Sequence, residues 1–218
     1  IMLSAPNDPE FEAWTLTRTA DIGDFTLEGI GPGEEINTTS TNPLKNYFSY
    51  ARCEDVVTAD DAAKDTDPAQ ARQAVITTFD GFTYNLDIGS KTPEAPATPG
   101  APAPPQNYFL SVKVAAELAK ERPKVVEETE EQAKAADEKF QEKLKTLEEK
   151  LAREQGFQGR TFEVTQWTVN ALLKARADLA KPRTAAPGAD TGVPSPNFKG
   201  VEGRTPPVPF PLQGNPNP

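Results

Sequence analysis

The densest group of side chains that could perform chemistry is an acidic segment between residues 60 and 67. Its members are Asp60, Asp61, Asp65 and Asp67. Clustered carboxylates suit Ca²⁺, but an EF-hand loop also needs oxygen ligands at alternate positions, a central glycine and a distal glutamate. The segment has neither that spacing nor that glycine. We therefore predict no metal site and no cofactor.

The composition excludes the common nucleophilic mechanisms of catalysis. The chain contains no histidine, so Ser-His-Asp and Cys-His machinery cannot be assembled. Cys53 is the single cysteine, which rules out an internal disulfide and a thiolate metal cluster. We interpret Cys53 as a small buried hydrophobe. An enzyme that uses carboxylates alone stays open as an alternative, but no pair of acids stands out, and we predict that the protein is not an enzyme.

The net charge of −10 bears on the class of partner. A negative surface repels the phosphates of nucleic acids and the head groups of anionic membranes. No run of 18 apolar residues occurs, so we expect no membrane insertion by this stretch of chain. We expect a protein partner.

The elements that must position any site are organised around a hairpin at residues 74–89. Apolar residues alternate with polar ones over 82–88, which is typical of a strand with one buried face. Asp80 and Gly81 predict a two-residue type I′ turn before it. Residues 107–115 form the next strand by the same alternation. The Pro-rich segment 92–106 is then a loop inserted between two paired strands.

Shorter patterns complete the predicted domain. Residues 11–19 and 24–30 indicate a first hairpin, and 43–51 a short helix that begins after Asn42. Residues 53–58 and 161–165 have strand character. Apolar spacing over 166–179 predicts one amphipathic helix, and its predicted buried face comprises Trp167, Ala171, Leu172, Ala175 and Leu179.

Residues 117–156 form a second insertion, a helical arm rich in glutamate, lysine and alanine. Phe140, Leu144, Leu147 and Leu151 recur at spacings of three and four and form one apolar stripe. We take this stripe as the candidate partner-binding surface. The alternatives are a helical hairpin or a helix packed on its own domain, and the sequence leaves open whether the arm is one helix or two.

These elements predict an α+β fold with an antiparallel β-sheet built from hairpins, spanning residues 8–181. Helices pack on the sheet, and the Pro-rich loop and the helical arm interrupt it. Residues 182–218 are rich in proline and glycine and lack periodicity. That composition is typical of a disordered tail.

Three motifs together resemble one known family. They are Trp14-x-Leu16-x-Arg18, VITTFDGFTYNLDIG at 75–89 and FEVTQWTVNALLKARADL at 162–179. The chain resembles the bacterial domain of unknown function 4340 family over residues 10–180. The resemblance implies a periplasmic protein, tethered by an N-terminal transmembrane helix outside this sequence and associated with gliding-type ABC transporter components. The family supplies no catalytic residues to carry over.

Two functions from different classes follow. The first is a non-enzymatic cell-envelope protein that acts through protein–protein contacts, as an accessory to an ABC-type transport complex. The second is a carbohydrate- or small-ligand-binding module that uses exposed aromatic residues, for which we name Trp14, Tyr84 and Tyr108. A deep pocket would favour the second function, and an apolar stripe exposed on the arm would favour the first.

Overall fold

A computed structural model describes residues 1–49, 51–93, 105–123 and 128–183. The compact unit runs from Ile1 to Arg183. The middle of the predicted Pro-rich loop, residues 94–104, lies outside the described residues. The predicted tail also lies outside them, apart from Pro182 and Arg183.

The fold is α+β, as predicted, and its centre is an antiparallel sheet. Eight strands pair in the order β3-β2-β1-β6-β7-β8-β9-β5, and β4 pairs with β10 in a separate ribbon. Each pairing in both sheets is antiparallel. The strands are β1 Met2–Ser4, β2 Trp14–Thr17, β3 Thr26–Leu27, β4 Glu34–Ile36, β5 Asp55–Val57, β6 Arg72–Thr77, β7 Phe82–Ser90, β8 Asn107–Ala116, β9 Thr161–Thr165 and β10 Ala180–Pro182.

One helix is long and the other helical segments are single turns or little more. The α-helices are α1 Thr38–Thr41, α2 Ala59–Lys64, α3 Glu130–Gln155, α4 Gln166–Val169 and α5 Arg176–Leu179. Two 3-10 segments, Asn42–Ser49 and Pro68–Gln70, complete the set in the described ranges. The helix predicted over 43–51 is therefore a 3-10 segment, and it is interrupted at Asn46. Within those ranges, no helix combines the length and apolar character that crossing a membrane requires.

The central hairpin is confirmed, but its turn differs from the prediction. The Thr78 N–H donates to the Phe82 carbonyl at 2.8 Å, which leaves three loop residues rather than two. The Gly81 N–H closes a turn on the Thr78 carbonyl at 3.2 Å, and Gly81 has a φ of 88°. A tight turn followed by a left-handed glycine is the usual form of the three-residue hairpin loop. Asp-Gly therefore signals the hairpin without fixing its length.

Strand β1 lies in the middle of the sheet, although its residues precede the predicted domain start at residue 8. Met2 and Leu3 pair with β2 on one side and with β6 on the other. Leu3 is buried. Three residues are too few to show a period of two, so the sequence pattern could not reveal this strand.

The main core covers one face of the sheet. Strand β7 alternates as predicted, with Phe82, Tyr84, Leu86 and Ile88 all buried. Side chains on a pleated strand alternate between its two faces, so these four residues lie on one face of the sheet. Helical and loop residues close over that face. The buried residues that form this cover are Leu44, Val169, Leu172 and Leu179.

Gly89 has a specific role on the opposite face of β7. A Cβ at this position would lie 2.6 Å from Cγ2 of Thr66. The Thr66 hydroxyl donates to the Ala62 carbonyl at 2.6 Å, which holds the threonine at the end of α2. Glycine therefore allows Thr66, just after α2, to lie directly against β7.

The prediction of a single helix over 166–179 is wrong. The chain forms α4, turns, and forms α5, with Ala175 in extended backbone between them. The indole N–H of Trp14 donates to the Lys174 carbonyl at 2.8 Å, and the Ala175 N–H donates to the Asp178 carboxylate at 3.3 Å. These backbone groups are thus satisfied outside a continuous helical ladder. Leu172 and Leu179 are buried as expected, but Trp167 is 89% exposed.

Helix α3 is one continuous helix of 26 residues, so it is about seven turns long. It begins with a capping box, in which Thr129 and Gln132 exchange hydrogen bonds between side chain and backbone. Arg122, in the segment that leads to the helix, holds both Glu128 and Asp137, with contacts of 2.8 Å and 2.7 Å. The described part of the preceding segment is not helical.

Candidate ligand groove

An apolar groove of about 520 Å³ lies on the main face of the sheet. Its volume falls within the range typical of sites for small molecules. Its floor is formed by side chains of β7, β8 and β9 that share one face: Leu86, Leu110, Val112, Val114, Phe162 and Val164.

The strand register explains why the floor is continuous. Leu86 is directly opposite Val112, and Leu110 is directly opposite Phe162. Paired residues of neighbouring strands lie on the same face, so apolar positions on three strands merge into one surface. The segment 47–53 borders this floor on one side, and the end of α3 with Phe157 borders it on the other.

Contacts with β7 hold the α3 side of the groove in place. The Tyr84 hydroxyl donates to the Glu154 carboxylate at 2.6 Å. Lys150 pairs with Asp80 at 3.2 Å and lies 4.1 Å from the centre of the Phe82 ring. Burial, together with the Glu154 carboxylate, raises the pKa of Tyr84 above its ordinary value of 10.0. The tyrosine is therefore a neutral donor and Glu154 is its acceptor.

Asp80 completes this charged cluster from the hairpin loop. Burial alone would raise the pKa of Asp80. The Thr78 hydroxyl and the Lys150 ammonium both donate to its carboxylate and outweigh burial, so the pKa is lowered. Asp80 is thus charged at neutral pH, and it neutralises Lys150.

The other side of the groove carries a cation and a thiol. Arg52 lines the groove, and its guanidinium makes no ion pair within the described ranges. The backbone carbonyl of Arg52 accepts the Thr168 hydroxyl at 3.2 Å, which ties this segment to α4. Cys53 is exposed and lines the same groove. The interpretation of Cys53 as a buried hydrophobe is therefore wrong, because the segment before β5 runs along the surface.

Tyr47 lies beside the groove and contains an unsatisfied polar atom. Its hydroxyl is buried and has no hydrogen-bond partner within the described part of the chain. Burial raises the pKa of Tyr47 above its ordinary value of 10.0. A buried hydroxyl without a hydrogen-bond partner lowers the free energy of unfolding, because its lost hydration is not replaced.

The predicted aromatic ligand-binding residues are not the ones that line the surface. Trp14 and Tyr84 are buried in the core, and only Tyr108 is partly exposed. The aromatic residues that border the groove and face solvent are Phe48 and Phe157, with exposed fractions of 42% and 44%. Both lie outside the alternating strand patterns, so periodicity gave no signal for them.

The apolar stripe of α3 divides into two parts. Leu147 and Leu151 pack against the domain core. Phe140 and Leu144 lie further towards the start of the helix, are partly exposed and do not belong to that core. Only these two stripe residues remain available to a partner.

The acidic segment is occupied by local structure. Asp61 accepts hydrogen bonds from Lys64 and Thr58, which lower its pKa, and Asp67 caps the second 3-10 segment. In the described residues, no group of three or more His, Cys, Asp or Glu side chains is placed to hold a metal ion.

A second depression, of about 760 Å³, borders β1, β2 and the 3-10 helix. Its lining includes Arg18, Asp21, Lys45 and Asp80. These groups have partners: Arg18 donates to the Asp21 carbonyl at 2.9 Å, and Lys45 pairs with Asp24 at 2.7 Å. The groove on β7, β8 and β9 is therefore the better candidate site, since it combines an apolar floor with Arg52, whose side chain has no partner among the described residues.

Comparisons of the chain with protein-family models, with curated proteins and with solved structures find no match. The resemblance to the domain of unknown function 4340 family stays a prediction.

Proposed function

We propose that this is a non-enzymatic binding protein that takes a small apolar ligand in the groove. The observation that carries the proposal is a space of about 520 Å³ over three strands, where the floor residues Val112 and Phe162 are only partly buried. The other four floor residues belong to the buried core. A bound ligand would remove the exposed parts of Val112 and Phe162, and of Phe48 and Phe157 at the borders, from water.

Cys53 allows a direct test, because it is the single cysteine and lines the groove. The rate at which a chromogenic disulfide reacts with Cys53 is measured with and without Nile red or decanoate. Occupancy of the groove slows the reaction and raises Nile red fluorescence. An unchanged rate at saturating concentrations of both compounds would show that the groove binds neither.

A pair of variants on β8 separates the groove from the rest of the surface. Val112→Phe fills the floor and is expected to abolish ligand protection of Cys53. Lys113→Phe is the control, because Lys113 neighbours Val112 on the opposite, exposed face. Circular dichroism checks that both variants are folded. Equal protection in the two folded variants would place the ligand elsewhere.

A second candidate function is a protein–protein contact made by the arm, as an accessory to a transport complex in the cell envelope. It is supported by Phe140 and Leu144, which are partly exposed where α3 no longer contacts the core. The resemblance described above supplies the envelope context.

This second function is tested by light scattering and by cross-linking in envelope extracts. The double variant Phe140→Glu with Leu144→Glu is compared with the unaltered chain. Loss of an oligomer or of a specific cross-linked band in the variant supports the arm as a contact surface. Identical masses and identical bands in both proteins would remove that support.

A further inference from the structure

We infer that the ligand of the groove is an aliphatic chain and that Phe48 sets the longest chain the groove admits. This inference rests on the proposed function and adds the chemical class of the ligand and the residue that selects it. It follows from the position of the second depression, of about 760 Å³, which adjoins the groove.

The strand register places the two spaces side by side. Ile76 lines the second depression and Tyr84 lines the groove. The two residues are directly opposite each other on β6 and β7, so they share one face of the sheet and their Cβ atoms are about 5 Å apart. The depression and the groove therefore meet at the boundary between these two strands.

Three of the described residues line both spaces and form the wall between them: Tyr47, Phe48 and Thr78. Thr78 belongs to the hairpin loop, where its hydroxyl accepts the Phe82 N–H at 3.2 Å. Tyr47 packs against the domain core. Phe48 is 42% exposed and lies outside that core, so it is the part of the wall that can be removed without loss of the fold.

Two aromatic contacts hold the Phe48 ring in this wall. Its centre is 4.3 Å from that of the Tyr84 ring and 5.4 Å from that of the Tyr47 ring. Tyr84 is itself held by its hydrogen bond to Glu154. Because aromatic rings at such distances attract each other, Phe48 closes this end of the groove, and a chain that lies in the groove stops against its ring.

The second depression suits the end of an uncharged chain. Lys45 and Asp80 in its lining are in ion pairs, and the Arg18 guanidinium lies over the rings of Phe25 and Phe79. Apolar residues continue the lining of the groove: Leu16, Leu44 and Ile76. A flexible chain is one methylene wide and crosses a gap the size of a phenyl ring, whereas a rigid ring system does not. An unbranched aliphatic chain is therefore the class that fits both spaces.

The probes are octanoate, decanoate, dodecanoate, tetradecanoate and hexadecanoate, which share one carboxylate head and differ only in chain length. Affinity is taken from the concentration that halves the reaction rate of Cys53 with a chromogenic disulfide. Each buried methylene is expected to tighten binding about fourfold. In the unaltered protein this gain should stop at the length at which the chain reaches Phe48.

Phe48→Ala joins the two spaces, so the gain should continue by at least about tenfold over the longer members of the series. Phe48→Leu, which retains more of the packing, should move the limit in the same direction by less. Phe157→Ala is the matched control, because Phe157 is 44% exposed and lines the groove but not the second depression. Its chain-length limit should equal that of the unaltered protein. Circular dichroism checks that each variant is folded.

A thiol in the second depression shows directly whether the chain arrives there. Ser49 is exposed and lines that depression but not the groove. In the double variant Cys53→Ser with Ser49→Cys, hexadecanoate should leave the reaction rate of the introduced thiol unchanged. Addition of Phe48→Ala to this variant should let the chain pass and slow the reaction severalfold.

Four outcomes overturn the inference. If the folded Phe48 variants keep the chain-length limit of the unaltered protein, Phe48 does not set it. If hexadecanoate protects the thiol at position 49 equally with and without the Phe48 ring, that ring is not the barrier. If Nile red protects Cys53 and no fatty acid does, the groove binds a ligand of another class, and the proposed function stands. If none of these compounds protects Cys53, the proposed function fails together with the inference.

Discussion

The Tyr84 hydroxyl and the Glu154 carboxylate, 2.6 Å apart, join the centre of the sheet to the last turn of the long helix. The contact spans 70 positions of sequence, and neither residue has a periodic pattern that points to the other. It orients the only carboxylate of the groove that has no cationic partner in the described chain. One hydrogen bond thus serves both the fold and the proposed site.

Removal of this hydrogen bond should destabilise the protein. Tyr84→Phe is expected to lower the free energy of unfolding by about 1–2 kcal/mol, because Glu154 loses a donor in a partly buried position. Urea unfolding measures the change. Tyr108→Phe is the matched control, since the Tyr108 hydroxyl makes no hydrogen bond within the described ranges. Equal stability of the two variants would show that the contact contributes nothing.

Tyr47→Phe should have the opposite effect. The variant removes a buried hydroxyl that has no partner within the described residues and keeps the ring in place. We expect a gain of about 1 kcal/mol, which corresponds to a rise in Tm of about 2–4 °C for a domain of this size. A lower Tm would mean that the hydroxyl is satisfied in solution.

High pH should destabilise the folded state through the same two tyrosines. The folded pKa values of Tyr47 and Tyr84 lie above 10.0, so the unfolded chain releases protons that the folded chain retains. The ionisation of these tyrosines therefore leaves stability unchanged below pH 10 and lowers the free energy of unfolding as the pH rises above it. Urea unfolding between pH 8 and pH 11 should show a smaller decline in the double variant Tyr47→Phe with Tyr84→Phe. Parallel declines in the two proteins would contradict the assignment.

Gly89→Ala tests the close approach of Thr66 to strand β7. The added methyl would lie 2.6 Å from Thr66 Cγ2, so we expect a loss of about 1–3 kcal/mol. Thr66→Ser removes that methyl group and should recover most of the loss in the double variant. Gly33→Ala is the control, because a Cβ there would meet nothing within 4 Å. An additive double variant would show that the clash is not the cause.

The two parts of the α3 stripe should respond differently to truncation. Leu151→Ala is expected to cost about 1–3 kcal/mol of unfolding free energy, because Leu151 packs against the core. Leu144→Ala is expected to cost less than about 0.5 kcal/mol, since it lies outside that core. Chemical unfolding of the two variants measures both costs. Equal costs would mean that the whole stripe is buried in solution.

The sequence predicted those elements whose burial alternates over several residues. β7 and β8 are long and half-buried, so their period of two is visible, and their pairing follows from the hairpin. β1 and β10 are three residues long and depend on partners that are remote in sequence. No local pattern encodes such contacts, because the pairing surface comes from elsewhere in the chain.

The groove was missed for a related reason. Its floor was predicted correctly as a buried strand face, but its openness depends on how far the segment 47–53 and the end of α3 cover that face. The helix predicted over 166–179 failed because tertiary hydrogen bonds, including that from Trp14 to Lys174, override a local helical pattern. The same helical pattern led to the expectation that Trp167 is buried.

The pairing of β4 with β10 constrains how the protein is made. Glu34–Ile36 has its partner strand roughly 140 residues later, at Ala180–Pro182. A ribosome that adds about 5–20 residues per second needs on the order of 10 s to deliver that partner. During this interval the earlier strand has an unpaired edge, and β5 likewise waits for β9. While the protein is being synthesised, the unpaired edges of β4 and β5 are therefore open to pairing with other chains.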